Sequence, residues 1–239
     1  MPKPQSDSSV PAGLEYIASL NSIHLKQKID TLEVLTGWQV KNKFRLTDPA
    51  TGQVIGLFKE ESDCLQRNCC KNNRAFTAKI IDSQGATIFS LDRPLHCNCF
   101  CCPAANDGCC GQEITALDSS NQFLGKVTMK QQCAICVCCM DWMLNIAGED
   151  GQVKWRLGNN LCSATCVCCD DKYLYVYDAD GNQVSTVTKQ WRGLGTECCT
   201  PADSILVEFP AGMTVQEKAT LIGAVLLSDY NLWEEQNNS

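Results

Sequence analysis

The 239-residue sequence contains only two His, no excess of basic residues and no apolar run long enough to span a bilayer. A membrane-spanning helix needs about 20 predominantly apolar residues. The longest apolar run, "ATLIGAVLLSDYNLW" from Ala219, is broken at Ser228 and Asp229. We therefore expect a helix buried in protein at this position, with a spanning segment as the alternative.

Charge and the amino-terminal residues argue against two further classes of protein. The formal net charge of −7 disfavours broad contact with nucleic acid and a purely electrostatic hold on anionic lipid. The first residues, "MPKPQSDSSVPAG", include no apolar stretch that resembles a secretory signal. We therefore expect the protein to face the reducing cytosol, where most thiols stay free.

Cysteine is the residue present in excess, with 19 copies in the chain. The densest group lies in "LHCNCFCCPAANDGCC", from Leu95 to Cys110. A chain of this length buries a sufficient hydrophobic core, so disulfide bonds are not required for its stability. Acyl attachment, metal binding, thiol catalysis and core packing are the uses that remain open for the thiols.

Five segments share one form, in which two alternating apolar runs flank an acidic or Gly-containing turn. They are "NKFRLTDPATGQVIGLF", "AFTAKIIDSQGATIFSL", "EITALDSSNQFLGKVTM", "WMLNIAGEDGQVKWRL" and "YLYVYDADGNQVSTVT". Each segment predicts a β-hairpin. Consecutive hairpins leave two exposed sheet edges unless the sheet closes into a barrel.

A barrel of this size needs something to fill its interior, and the C-terminal region predicts a helix that suits this role. Thr214 and Glu217 form a Thr-x-x-Glu capping box, and the apolar residues after it cover most of the helix circumference. We predict a mainly β fold: a closed antiparallel β-barrel of about 12 strands that encloses a C-terminal α-helix.

Several long strings are similar to sequences of the phospholipid scramblase family, whose members have the tubby-like fold of a barrel around a helix. They are "GLEYIASLNSIHLKQKIDTLEVLTGWQVKNKF", "CLQRNCCKNNRAFTAKIIDSQG", "LDRPLHC", "CCP", the two Cys-Val-Cys-Cys strings, "VTKQWRG" and "ATLIGAVLL". The resemblance implies one domain over residues 13–239, with a buried helix at 214–233, after a short disordered arm at residues 1–12. It also implies an activity, the Ca²⁺-stimulated and ATP-independent exchange of phospholipids between leaflets.

Scramblase relatives carry a cysteine cluster after the "RPL" turn that receives palmitate as a thioester. The resemblance places this cluster on Cys97, Cys99, Cys101, Cys102, Cys109 and Cys110. Two or more acyl chains hold a protein stably on a bilayer, whereas one chain binds only marginally. The insertion "AANDG" interrupts the run, so which of the six are acylated stays open. The alternative is that these thiols merely occupy a loop.

The strings "CAICVCC" and "CSATCVCC" alternate as strands do. Cys136 and Cys138 would then share one face and pack as small apolar side chains. Zinc or iron–sulfur binding is the alternative, because Cys133 and Cys136 have ligand spacing. Thiol catalysis would need a tertiary contact between a Cys and either His24 or His96.

The resemblance also implies a low-affinity Ca²⁺ site in "DDKYLYVYDADGN". Its oxygen ligands would be Asp170, Asp171, Asp178 and Asp180. As a helix–loop–helix calcium loop the segment fails, because Val176 and Val187 would occupy the first and twelfth positions. The alternative is an acidic Asp-Gly hairpin turn.

The segment "TKQWRG" places an aromatic residue beside cations, a composition that suits contact with lipid headgroups. Lys189, Trp191 and Arg192 would make that contact, and a solvated strand end is the alternative. In relatives a similar stretch is linked to nuclear import, which implies a nuclear pool of the protein.

A phospholipid membrane is the expected partner, with further protein partners and self-association. The expected location is the cytoplasmic face of the plasma membrane, held by palmitate with or without the C-terminal helix. Because a barrel packed with its own helix offers no path for a headgroup, a palmitoyl-anchored adaptor without transport activity is the alternative. A thiol–metal regulatory protein is a third hypothesis.

Overall fold

The structure is a computed structural model. It describes residues 10–11, 13–27, 44–61, 74–95, 111–129, 141–165, 170–191 and 204–233. Most of the predicted N-terminal arm, residues 1–9 and 12, lies outside the described residues.

Twelve strands form one closed antiparallel barrel. The strands are β1 (Ser22–Gln27), β2 (Phe44–Thr47), β3 (Val54–Glu61), β4 (Phe76–Ile81), β5 (Thr87–Arg93), β6 (Glu113–Asp118), β7 (Phe123–Met129), β8 (Asp141–Ala147), β9 (Val153–Asn160), β10 (Lys172–Tyr177), β11 (Gln183–Lys189) and β12 (Ser204–Glu208). Each strand pairs with its neighbours in the chain, and β1 also pairs with β12. The predicted closed barrel is therefore confirmed.

The five predicted hairpins are β2–β3, β4–β5, β6–β7, β8–β9 and β10–β11. Each has a register shift just before its turn, as between Val176 and Tyr177. The turn carboxylates accept backbone hydrogen bonds, as Asp118 Oδ1 does from Ser120 and Gln122 at 2.7 and 2.8 Å. Aspartate in this repeat therefore holds the turn in shape.

The two ends of the barrel differ because alternate connections of an up-and-down barrel lie at alternate ends. We call one the turn end, since it carries the tight turns at 48–53, 82–86, 118–122, 148–152 and 178–182. These turns contain seven acidic residues and no Lys or Arg. Their summed charge equals the formal net charge of the whole chain, −7.

The opposite end, which we call the connection end, is where the longer segments join the strands. These segments are residues 28–43, 62–75, 94–112, 130–140, 161–171 and 190–203. All 19 Cys fall, by their position in the chain, within five of these six segments. Every thiol-bearing segment is therefore attached to the barrel at the same end.

Helix α3 (Val215–Ser228), as we number the C-terminal helix, fills the barrel and enters it from the turn end. Its predicted capping box is present: Thr214 Oγ1 accepts from the Glu217 N–H at 3.3 Å, and Glu217 Oε2 accepts from the Thr214 N–H at 3.0 Å. All residues from Glu217 to Ser228 are buried. The helix therefore plugs the barrel, and no helix of the described residues combines the length and apolar character needed to cross a membrane.

Glycine allows α3 to approach the barrel wall closely on two sides. A Cβ on Gly125 of β7 would lie 2.5 Å from Thr220 Oγ1 of the helix. A Cβ on Gly223 of the helix would lie 2.9 Å from Leu91 Cδ2 of β5. The Gly125 position also lies 2.6 Å from the backbone oxygen of Ala147 and therefore needs glycine, whereas at Gly223 the end of the Leu91 side chain would have to shift.

Two short helices lie outside the barrel sheet, α1 (Glu15–Ala18) and α2 (Leu161–Thr165). Helix α2 consists of the first five residues after β9 and includes the beginning of the thiol string "CSATCVCC". Asn160 Oδ1 accepts from the Cys162 N–H at 3.1 Å, which starts a helical turn. The predicted strand is therefore wrong for residues 161–165, while Cys133, Cys136, Cys138 and residues 166–169 lie outside the described residues.

Candidate functional site

The residues predicted to bind Ca²⁺ do not lie together. Asp170 and Asp171 precede β10 at the connection end, whereas Asp178 and Asp180 follow it at the turn end. Six strand residues separate the two pairs by roughly 20 Å. One ion therefore cannot contact all four, and no group of three or more metal-ligating side chains occurs within the described ranges.

The aspartates of the two pairs make different contacts. Asp178 accepts from Asn182 through both oxygens, at 2.8 Å from the backbone N–H and 3.0 Å from the side-chain amide. These hydrogen bonds, that of the side chain first, lower the pKa of Asp178. Asp171 Oδ1 instead accepts from the backbone N–H of Trp191 at 2.8 Å. Asp178 thus holds a turn, whereas Asp171 ties β10 to the end of β11.

The six predicted acylation sites, from Cys97 to Cys110, lie outside the described residues, as does His96. The residues that flank them are described: β5 ends at Arg93, and Leu95 is 55% exposed. Both flanking strands meet the segment at the connection end. Acylation at these thiols stays a prediction.

A network of charged side chains surrounds the C-terminal end of α3 inside the barrel. Arg74 donates to both carboxylate oxygens of Glu60, at 2.8 and 3.1 Å, and the two side chains are 1% and 0% exposed. The Tyr230 hydroxyl donates to Glu60 Oε2 at 2.9 Å. Arg93 lies over the same tyrosine ring, 5.6 Å from its centroid. Sequence reasoning did not foresee this network, because its members are far apart in the chain.

A small cavity of about 230 Å³ lies at the turn end, beside the start of α3. Its one buried charge, Glu217, is already used by the capping box. Glu217 also accepts from Trp155 Nε1 at 3.1 Å and lies 3.4 Å from Lys154 Nζ. These contacts explain why the Glu217 carboxylate is buried: it holds the start of α3 in place, and no ligand is needed to account for it.

A second cavity, of about 350 Å³, lies in the barrel wall where β1, β10, β11 and β12 meet, and we call it the wall cavity. Its lining residues are His24, Lys26, Asp171, Gln190, Trp191 and Ser204. Ile23 and Leu25 are fully buried, so the alternation of β1 turns His24 and Lys26 to the outside. The cavity therefore opens on the outer surface of the barrel, near the connection end.

A chain of hydrogen bonds forms the floor of the wall cavity. Ser204 Oγ donates to Gln190 Oε1 at 3.1 Å and lies 2.7 Å from His24 Nε2. Which of the two groups donates in the His24–Ser204 hydrogen bond depends on the tautomer of His24. The chain joins three polar side chains from β1, β12 and the end of β11 into one polar surface.

Two of the residues predicted to contact lipid headgroups, Lys189 and Trp191, lie on opposite sides of the barrel wall. Trp191 is outside and 39% exposed. Lys189 points inward, with Nζ 3.6 Å from Asp229 Oδ1, because it alternates with the buried Val187 on the same face. Arg192 lies outside the described residues. The lysine that lines the wall cavity together with Trp191 is instead Lys26 of β1, which no local sequence pattern could reveal.

Comparison with known proteins identifies the family of the chain. The scramblase family model matches residues 1–235. Phospholipid scramblase 1 of Homo sapiens is 32% identical over 98% of this chain and 70% of its own length. The Mus musculus phospholipid scramblase 1 is 33% identical over 100% of this chain and 69% of its own, and Bos taurus phospholipid scramblase 2 is 31% identical over 98% and 75%. No solved structure is significantly similar.

The fold thus defines a class of protein, the closed twelve-stranded barrel built around its own C-terminal helix. Within that class, this chain belongs to the scramblase family.

Proposed function

We propose that this protein is a phospholipid scramblase, which moves phospholipids between bilayer leaflets without ATP and is stimulated by Ca²⁺. Family membership over nearly the whole chain is the observation that carries the proposal. Its site of action in this proposal is the cytoplasmic face of the plasma membrane, with self-association and protein partners there and a nuclear pool when palmitate is removed.

The attachment to the membrane, in this proposal, is through palmitate thioesters in the segment from Cys97 to Cys110. The distribution of charge supports an orientation in which the connection end of the barrel faces the membrane. Seven acidic residues crowd the turns at the opposite end of the barrel, and an anionic leaflet repels them. Acyl chains at the connection end and carboxylates at the turn end therefore favour the same end-on position on a membrane.

The filled interior supports a lipid path outside the barrel. Helix α3 is buried on all sides, and the network around Glu60 and Arg74 occupies the space beneath it. A headgroup is costly to carry through hydrocarbon unless polar groups shield it. We therefore assign translocation to the outer wall, between associated copies or in bilayer thinned by them.

The same filled interior favours one second candidate, a palmitoyl-anchored adaptor of the cytoplasmic leaflet. Such a protein would keep the fold and the tether and lack transport. The two functions differ in a single measurable property, the rate of lipid exchange between leaflets.

Reconstitution of the acylated full chain into liposomes tests this property. A labelled lipid in the inner leaflet becomes accessible to a membrane-impermeant quencher only after exchange. We expect faster exchange with protein and Ca²⁺ than in protein-free liposomes or with a chelator. Exchange at the protein-free rate at high protein density would reject scrambling in favour of the adaptor.

The tether is tested separately by the distribution of the protein between membrane and supernatant in cells. Replacing all six Cys from Cys97 to Cys110 by Ser should move most of the protein off the membrane. The matched control is the Cys198→Ser, Cys199→Ser variant, which changes two thiols in a different segment that joins the strands at the same end of the barrel. Equal membrane fractions for the two variants would contradict the proposed tether.

The separation of the aspartate pairs makes the calcium proposal testable in two halves. We expect the Asp170→Asn, Asp171→Asn variant or the Asp178→Asn, Asp180→Asn variant, but not both, to raise the Ca²⁺ concentration for half-maximal exchange. Unchanged calcium dependence in both variants would remove these residues from the proposal.

A further inference from the structure

We propose that the wall cavity is a binding site for a phosphocholine group, a phosphodiester joined to a quaternary ammonium, as it occurs in a lipid headgroup. The choice of a lipid as the source of this group rests on the proposed function. The recognition itself is argued from the residues that line the cavity.

The ammonium half of the ligand is matched by Trp191 and Asp171. A quaternary ammonium donates no hydrogen bonds and binds best over an aromatic face, of which indole is the strongest. Trp191 is 39% exposed, and its backbone N–H is bound at 2.8 Å by Asp171 Oδ1. That bond fixes the Asp171 carboxylate against the backbone of Trp191, and both residues line the cavity, so attraction of opposite charge adds to the contact with the ring.

The phosphate half is matched by Lys26. Strand pairing of β1 with β12 sets Lys26 directly opposite Ser204, and both line the cavity. Lysine binds phosphate as a compact point charge on a flexible stem. Ser204, His24 and Gln190 are occupied with one another and supply a polar floor of fixed shape beneath it.

The size and charge of the cavity fit one headgroup rather than a whole lipid. Its volume of about 350 Å³ is at the lower end of small-molecule sites, so acyl chains would stay outside. Among the described lining residues, one lysine and one aspartate carry a formal charge, and these two charges cancel, as a zwitterion requires. A phosphoserine group would bring an additional carboxylate toward Asp171, and we therefore expect it to bind more weakly.

Indole N–H resonances of the full chain, labelled with ¹⁵N, provide the test. The chain has five Trp, and the Trp191→Phe variant identifies the resonance of Trp191. Titration with glycerophosphocholine should shift that resonance to saturation and leave the others in place. Phosphate alone or choline alone should bind roughly tenfold more weakly, since each lacks one of the two charged contacts.

Variants separate the two halves of the site. Lys26→Gln and Asp171→Asn should each weaken binding roughly tenfold in this titration. Trp191→Ala lacks the reporting resonance, so its binding is measured by calorimetry against the wild type and should be about threefold weaker. The control is Lys59→Gln, an exposed lysine on the outer face of β3 that is not among the lining residues of the cavity. Absence of a saturable shift, or an equal loss in Lys26→Gln and Lys59→Gln, would overturn the proposal.

Vesicles distinguish a lipid from a soluble source of the same group. Unacylated wild-type protein should float with phosphatidylcholine vesicles more than the Lys26→Gln, Asp171→Asn double variant does. Binding of glycerophosphocholine without this difference would overturn the assignment to a lipid. Because neither assay measures exchange between leaflets, intact headgroup binding without exchange would reject only the proposed function, and exchange without headgroup binding would reject only this site.

Discussion

The two ends of α3 meet the same kind of ion pair in very different surroundings. At the turn end, Glu217 lies 3.4 Å from Lys154, whose side chain is 44% exposed. At the connection end, Glu60 and Arg74 pair at 2.8 Å with essentially no exposure. Solvent screens the first pair, whereas the second pair is buried, so the two pairs should contribute very differently to stability.

The two ends also differ in whether a local motif contributes. Thr214 and Glu217 are three residues apart, whereas Tyr230 and Glu60 are separated by 170. The helix start thus combines a local motif with long-range contacts, since Lys218 Nζ also donates to the carbonyl oxygens of Ala18 and Leu20. The far end is held by long-range contacts that exist only when the barrel has closed, and this makes its charges a consequence of the whole fold.

The largest predicted effect is at the buried pair. Glu60→Gln leaves the Arg74 charge buried without its partner and should cost about 3–5 kcal/mol of unfolding free energy. The matched control is Glu113→Gln, because Glu113 pairs with Lys126 at 2.8 Å with side chains that are 29% and 38% exposed. That control should cost less than about 1 kcal/mol. Urea denaturation followed by circular dichroism measures both, and equal losses would erase the contrast between buried and exposed pairs.

A smaller effect is expected at the helix start. Thr214→Ala removes the acceptor of the capping box and should cost about 1 kcal/mol. Thr214→Ser keeps a hydroxyl at the same position and should retain most of the stability. If both variants unfold at the wild-type urea concentration, then packing inside the barrel, and not the cap, holds this end of α3.

Loss of the exposed ion pair at the turn end should reduce the free energy of unfolding by less than loss of the cap does. Lys154→Gln removes the cation beside Glu217, which keeps its hydrogen bonds from Thr214 and Trp155. We expect a loss of roughly 0.5 kcal/mol or less at low salt, and a smaller loss at 0.5 M salt because exposed charges are screened. A loss as large as that of Glu60→Gln would contradict the comparison of the two ends.

The smallest effect concerns the turns and their dependence on pH. The pKa of Asp178 is lowered by hydrogen bonds from Asn182, so its carboxylate stabilises the fold above its unfolded pKa. That contribution is lost as pH falls through the lower folded pKa, in a window below about pH 4. Asp178→Asn should therefore reduce slightly the difference in thermal midpoint between pH 7 and pH 3. Asp180→Asn is the control, and an equal change in both would assign the effect to net charge alone.

The repeated hairpins and the capping box could be predicted because their signals are local. Alternation and turn residues identify each hairpin within about 17 residues, and Thr214 with Glu217 identifies the start of α3. Helix α2 was missed, because the alternating thiols resemble a strand while the Asn160 side chain starts a helical turn. Lys189 was assigned to the surface, because its inward direction depends on the register of β11 in the closed barrel.

The candidate site shows the same division. Asp171 and Trp191 were both noted, but for separate purposes, and only the pairing of β10, β11, β12 and β1 brings them beside Lys26 and Ser204. The four predicted calcium ligands are close in sequence and far apart in space, because an extended strand runs between the pairs. Proximity along a strand is thus a poor guide to a shared site.

The amino-acid sequence by itself determined the strands, the turns, the buried helix and the clustering of acidic residues and thiols in alternate connections, because each depends on neighbours a few residues away. The tertiary structure alone decided which charges are buried, which lysine accompanies Trp191 and which end of the barrel carries each cluster. These outcomes depend on closure of the barrel, since the pairing of β1 with β12 sets the direction of side chains that are far apart in the chain.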